Sequence, residues 1–388
     1  MRAGGAGGSP AAFDVVVVGL GAMGGSSLLH LARRGVRVLG LDRFTPPHTL
    51  GSTHGETRII REAYFEDPVY VPLVQRALEL WAELERESGS RLYVRTGGLM
   101  VGPPAGMLVA GARSSVTRHG LPHEILSAEE VRRRYPAFTP GPGDAAVLEP
   151  RAGLLFPERV VEVQLALARR YGAELRFDTR VTGWRVEGDS VRVQTAGGEV
   201  FTAARLVIAA GPWVSEVLPS LAGLFSVERQ FFHWFSPLGP DLGADRCPIA
   251  LWEFTPGRIV ASFPDVGKGV KIAIHHGGET TGPDRVRRST TPAEERQARH
   301  LVSRYLPGAN GPLRQTAVCL YTNSPDGHFI IDHHPGYPQV IVCSPCSGHG
   351  FKFASAVGEA VAALASESPL PVPLDPFRLA RFGVKPDP

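Results

Sequence analysis

The chain has 388 residues, 43% of them hydrophobic and 20% charged, enough for two domains or one large α/β unit. Its 41 basic and 38 acidic residues are well mixed and leave a net charge of +3, unlike a nucleic-acid binder with its basic stripe. No apolar run approaches the ~20 residues of a membrane span, and four cysteines, at 247, 319, 343 and 346, are too few and irregular for a disulfide framework.

These bounds lead us to expect a cytoplasmic enzyme whose residues 1–12 form a loose Gly/Ala tail rather than a signal peptide. The first clear element is "FDVVVVGLGAMGG". The run Val15 to Val18 predicts a strand buried on both faces, as in a parallel sheet. "AMGGSSLLHLARRG" predicts a helix closed by Gly35, and "VRVLGLD" a second strand ending at Asp42. Within this βαβ unit, Gly19-x-Gly21-x-x-Gly24 lies between strand and helix. The first glycine permits a tight turn, the second a close approach to a pyrophosphate, and the third close packing of the helix. The helix N-terminus favours that anion, and Asp42 is placed to accept from ribose hydroxyls. The motif alone leaves NAD and FAD open.

Further on, Val71, Val74, Leu78, Trp81 and Leu84 recur at helical spacing. "LYVRTGGLMVG" is strand-like, and "SAEEVRRRYP" is a short helix with a capping box, Ser127 with Glu130. "PERVVEVQLALARRYGAEL" is amphipathic and helical. Residues 176 to 211 then form a β-meander feeding an apolar strand, Leu206 to Ala210, with Gly211 at its end. From 226 to 318 the chain is strand-like and rich in Phe and Trp, apart from one helix opening at Thr291-Pro292. "VIVCSP" is a strand and "GFKFASAVGEAVAALAS" a helix after a glycine-rich turn, while His333 and His334 read as loop residues. The order predicts a Rossmann-like FAD-binding domain of the two-dinucleotide-fold type over 13–90, 150–225 and 322–388. A mixed, antiparallel-rich substrate domain over 91–149 and 226–321 interrupts it. The meander strand ending at Gly211 and the return to α/β character favour FAD.

Three separated stretches, "PPHTLGSTHGETRIIREAY" (46–64), "CLYTNSPDGHFIID" (319–332) and "SGHGFKF" (347–353), resemble the monomeric sarcosine oxidase and N-methyltryptophan oxidase family of FAD-dependent amine oxidases. The similarity runs from about residue 13 to "LDPFRLARF" and is loose over 226–285. It implies that Cys319 carries FAD through a thioether to the 8α-methyl of the ring and that Arg58 lies close to that ring. It implies that Arg61 and Lys352 hold a substrate carboxylate, a task suited to Arg with a second cation. Lys271 matches a lysine that promotes reaction with oxygen, His275 and Tyr321 match pocket residues, His54 lies near the ring, and the Gly348 backbone lines the cavity. Arg43, Ser52, Val181, Gly211, Gly350, Phe351 and Lys352 complete the cofactor's expected surroundings.

Taken without the resemblance, Cys319 could be a buried thiol, half a disulfide or a metal ligand. Arg58 and Arg61 read as salt-bridged residues on a helix surface, Lys271 as an edge charge, and His54 and His275 as satisfied core histidines. Cys343-Ser-Pro-Cys346 ends a strand without opening a helix and reads as packing rather than redox chemistry. No spacing suggests a metal centre. The sequence departs from the family's smallest-substrate members in three places: Glu62 stands for a His, Ala261 for a pocket tyrosine, and Trp252 for a medium-sized wall residue. The expected function is oxidation of a secondary α-amino acid to an imine by a monomer, with O2 reduced to H2O2. The alternatives are a tailoring oxidase of a bulky or cyclic imino acid and a non-catalytic dinucleotide-binding redox sensor.

Overall fold

The computed structural model describes residues 12–239 and 242–384, so nearly all of the tail expected over 1–12 lies outside the described residues. Among the described residues the strands form an eight-stranded, a nine-stranded and a three-stranded sheet.

The first sheet is nucleated by Phe13–Val18, whose four valines are at most 6% exposed. It pairs in parallel with Val38–Leu41 on one side and with Val200–Ile208 on the other. Tyr337–Ser344 adds a further parallel strand against Leu206 to Ile208, and Val181–Glu187 and Ser190–Thr195 continue the sheet as an antiparallel meander. His333 and His334, expected in a loop, belong to the strand Ile330–His334, which folds back antiparallel on Tyr337–Ser344. The parallel strands are covered by the helices Ala22–Arg33 and Ala354–Ala365, with Pro157–Arg170 packed against Ala22–Arg33. Ala354–Ala365 seats directly on Ala22–Arg33, because a Cβ at Gly358 would lie 2.2 Å from Ser26 Oγ.

Segments 98–149 and 226–323 build the second sheet, mostly antiparallel, with one parallel pair between Gly98–Gly102 and Ile249–Thr255. Strand alternation gives it two faces. Trp252, Val260, Ile272 and Ile274 point into a core closed by Pro292–Tyr305 and Phe138. Leu251, Ala261, Ala273 and Phe232 point the other way, toward the first sheet. The capping boxes expected at Ser127–Glu130 and at Thr291, there with Glu294, are both formed. The helix Met107–His119 has no counterpart in the sequence reading, because Ala110, Gly111, Ser114 and Ser115 blur its apolar stripe. Arg58 lies on a short strand, Arg58–Ile60, in the three-stranded sheet, not on a helix surface.

Candidate active site

One cleft runs from the carboxyl ends of the parallel strands to the inner face of the second sheet. This is where ligands settle on open α/β sheets. The space between its walls is about 1940 Å³ with the solvent-facing mouth included. Residues of the glycine turn, Gly19 and Gly21, and of the second sheet, Lys271 and Tyr321, line this one space.

At the first end, Gly19 takes φ +88° and its absent Cβ would lie 2.4 Å from the Ala209 carbonyl oxygen. Gly21 caps the helix Ala22–Arg33 without a side chain, and no acid occupies the first turn, so its N–H groups and the positive end of its dipole suit an anion. Asp42 accepts from Leu20 N at 2.6 Å and from Phe44 N at 2.8 Å, holding the turn, while its oxygens keep lone pairs for a hydroxyl. Arg43, Val181 and Gly211 line the same cleft, and so does Ser52, whose hydroxyl donates to the Leu320 carbonyl at 2.6 Å beside Cys319. A backbone cradle, an open helix end and an acid fit the pyrophosphate and ribose of an adenine dinucleotide.

The other end lies under the strand Leu313–Asn323. Cys319 is buried there, with Arg58 Nη2 3.6 Å from its sulfur. Burial pushes its thiol up, and Arg58 pulls it down. Lys271 is 1% exposed, its ammonium over the Phe263 ring at 3.8 Å and donating to the Gly55 carbonyl at 3.0 Å and to that of Thr57. Burial, then Arg58, lowers its pKa well below the lysine range. His275 faces the Tyr321 hydroxyl at 3.4 Å and is kept neutral by burial and by His276.

Beside these groups stand two buried cations. Arg61 Nη2 donates to both oxygens of Glu66, at 2.6 and 2.7 Å, and its guanidinium lies 4.3 Å from the Tyr64 ring centroid. Burial raises the Glu66 pKa, but Arg61, His349 and Lys352 outweigh it and leave it at about 2. Lys352 Nζ donates to the His349 carbonyl at 2.7 Å and lies 3.5 Å from Tyr64 Oη. His349 Nε2 faces the Gly327 carbonyl at 3.1 Å, which only accepts, so that nitrogen carries the proton. Its Nδ1 therefore accepts from the Tyr64 hydroxyl at 2.5 Å, and the phenol oxygen is left to accept from Lys352. Burial, with Arg61, lowers Lys352 to about 7, against the pull of Glu66.

Of the residues expected from sequence, Gly19, Gly21, Asp42, Arg43, Ser52, Arg58, Arg61, Val181, Gly211, Ala261, Lys271, His275, Cys319, Tyr321, Gly348, Gly350, Phe351 and Lys352 line this cleft. Three do not. Trp252 is on the far face of its strand, stacked on Tyr305 at 4.8 Å with its indole N–H on Ser262 Oγ at 3.1 Å, so Leu251 takes the wall position. His54 is buried behind the bend that presents Ser52 and Thr53, lowered to about 3 by burial and by Arg58. Gly24 acts one layer back, where a Cβ would meet the Gly19 carbonyl oxygen at 1.7 Å. Glu62 is turned from the cleft toward Arg151, 3.1 Å away. Sequence reasoning missed Glu66, Tyr64 and His349, whose partners lie far off in the chain or read as loop chemistry. Cys343 and Cys346 both line the cleft, and Cys346 Sγ accepts from Thr322 N at 3.3 Å. Among the described residues no group of three or more His, Cys, Asp or Glu side chains could hold a metal ion, and no helix is long and apolar enough to cross a membrane.

A parallel sheet with this glycine turn, opening onto a second sheet that carries buried cations, suits a dinucleotide-dependent redox enzyme. The chain belongs to the FAD dependent oxidoreductase family, whose model matches residues 14–364. It is 43% identical over 378 residues to a monomeric sarcosine oxidase of Streptomyces avermitilis, covering 95% of this chain and 98% of that protein. It is 35% identical over 372 residues to an N-methyl-L-tryptophan oxidase of Yersinia pestis, covering 95% and 99%. Among solved structures, NikD, an amino acid oxidase essential for nikkomycin biosynthesis, superposes with a TM-score of 0.83 at 24% identity, over 94% of this chain and 97% of that one. L-proline dehydrogenase from P. horikoshii also reaches 0.83, at 23% identity over 97% and 99%. At those identities the likeness is one of fold. The chain is an FAD-dependent enzyme acting on a small molecule.

Proposed function

We propose that the protein is an FAD-dependent oxidase of secondary α-amino acids, working as a cytoplasmic monomer and reducing O2 to H2O2. The observation that carries this reading is the pair of buried cations, Arg61 and Lys352, in one cleft with Cys319 and Lys271. Relatives that oxidise sarcosine and N-methyl-L-tryptophan support it, as do four free cysteines, which suit a reducing compartment. Segments 13–90, 150–225 and 322–388 would hold the cofactor, and 91–149 with 226–321 the substrate.

Bound FAD supplies the two-electron acceptor that no side chain can provide. Arg61 and Lys352 dock the substrate carboxylate, Arg61 exchanging Glu66 for it. Neutral His275 and the Tyr321 hydroxyl would face the amine without adding charge, and the neutral amine would give up a hydride from carbon and then its N–H proton to become an imine. Lys271 offers a fixed cation where oxygen is reduced. A screen of secondary and primary amino acids with peroxide detection tests the reading, and formaldehyde release marks demethylation. If no amine bleaches the flavin, the oxidase reading falls and the redox-sensor reading replaces it.

Cys319, buried beside Arg58, is the proposed thioether anchor. Acid precipitation of the wild type should leave yellow protein, while Cys319→Ala should release its flavin to the supernatant. Release from the wild type would overturn the anchor.

The Tyr64–His349 couple makes a further outcome measurable. Because Lys352 is lowered to about 7, carboxylate binding should be strongest below that pH and weaken as pH rises through it. Tyr64→Phe removes an acceptor of the ammonium, so the inflection should move to lower pH. A lost hydrogen bond of ~1 kcal/mol lowers the pKa by ~0.7, so affinity at pH 7 should drop about threefold. A carboxylate that lacks an amine removes the ligand's own titration. Glu149, raised to about 7 by burial, accepts from Glu62 N and Ala63 N rather than from Tyr64, so an inflection unmoved by Tyr64→Phe would remove Tyr64 from the clamp.

A further inference from the structure

The inner face of the second sheet has a dent at its centre. Cross-strand register aligns Leu251 with Ala261, Ala261 with Ala273, and Ala273 with Phe232 in one row. The next row on one side pairs Phe263 with Lys271, and that on the other pairs Ile259 with His275. All of these line the cleft. Two methyl groups thus floor a hollow whose rim of six larger side chains stands on every side. Neighbouring residues on adjacent strands are ~4.5–5.5 Å apart at Cβ, so two consecutive alanines leave a gap the width of a side chain.

The rim is apolar where it matters. Leu251, Ile259, Phe263 and Phe232 carry no polar atom, the Lys271 ammonium is held by the Gly55 and Thr57 carbonyls, and the His275 ring is neutral. Core-facing sheets are ordinarily filled to close packing. An apolar dent inside a binding cleft is therefore shaped for an apolar guest group.

We propose that the substrate is a secondary α-amino acid bearing a bulky apolar substituent, branched, cyclic or aromatic, which sits on Ala261 and Ala273 while its carboxylate meets Arg61 and Lys352. This rests on the oxidase reading above and narrows it: a glycine derivative such as sarcosine leaves the hollow empty and binds weakly.

Two probe series titrated calorimetrically into the FAD-loaded protein test this: acetate, 3-methylbutanoate and 3-phenylpropanoate, and the N-methylamines of matching substituents. Each buried methylene contributes about a fourfold gain in affinity, so the larger carboxylates should bind at least about tenfold more tightly than acetate. Ala261→Leu and Ala273→Leu should each bring that ratio to about threefold or less, with FAD absorbance reporting that the variant is folded. Should one variant lose FAD, the other and the wild-type gradient decide. Equal binding of all carboxylates overturns the hollow and keeps the clamp. Size-dependent binding of the amines alone keeps the hollow and overturns the clamp. A size preference untouched by both substitutions, or no binding in either series, overturns the hollow.

Discussion

Replacing Arg61 by Met should raise KM for an amino-acid substrate by about two to three orders of magnitude while changing kcat far less. Two effects add. The substrate carboxylate loses a charge-assisted partner, and Glu66 loses the cation that does most to hold its carboxylate near 2. An acid left inside the cleft without its partner is costly, ~3–5 kcal/mol when a buried pair is broken from one side, and at neutral pH it repels a second anion. Its pKa should climb toward the working range, so the KM defect should ease in acid, where Glu66 is protonated. The double substitution Arg61→Met with Glu66→Gln separates the two effects. It should recover the part of KM due to repulsion and abolish that recovery in acid. Steady-state kinetics across pH read both. A KM within about threefold of wild type in the single variant would show that the carboxylate docks elsewhere.

How much of this was legible in the sequence follows the range of the interactions. The glycine turn and Asp42 lie in one continuous βαβ segment, where each residue answers a local steric or electrostatic demand, and its strand–turn–helix geometry was readable from the sequence. Cys319, Arg58, Arg61, Lys352 and Lys271 lie far apart in the chain but sit in dense motifs, so resemblance placed them in one cleft. Trp252 was misplaced because its side depends on strand parity. Shifting by one residue exchanges the cleft face for the core face, and Leu251 was one residue away. The hollow needs two registers at once, Ala261 against Ala273 and Ala273 against Phe232, and no single strand records that. Tyr64 and His349 meet across 285 positions. Each reads alone as a packed aromatic or a loop histidine, and only the fold makes them the support for Lys352.

Lys271→Met should slow the oxygen half-reaction by about a hundredfold or more, the usual cost of deleting one preorganised electrostatic group. Anaerobic reduction by substrate should change by less than about tenfold. The reasoning starts from what it costs to keep this cation. Lys271 is 1% exposed, and among the described residues its ammonium bonds to backbone carbonyls rather than to a carboxylate. It is stabilised by the Gly55 and Thr57 carbonyls and by the Phe263 ring, with Phe232 and Trp234 beyond. The backbone is bent to make this possible: Gly55 takes φ +98°, and a Cβ there would strike Phe232 at 2.8 Å. Such groups solvate an ammonium without neutralising it. A positive charge buried to 1% exposure is then available to the negative charge that develops when oxygen takes electrons. Burial and Arg58 lower the lysine's pKa, which fixes the sign of the pH effect. The charged form prevails at low pH and is lost on the way up, at a pH below the ordinary lysine range. The oxygen rate should therefore fall with rising pH in the wild type and be flat in Lys271→Met. Stopped-flow mixing of the reduced enzyme with oxygen, set beside anaerobic reduction, resolves the two half-reactions. Were reduction to suffer more than reoxidation, Lys271 would belong with the substrate-holding residues and the oxygen step would need another cation, of which Arg58 stands nearest to Cys319.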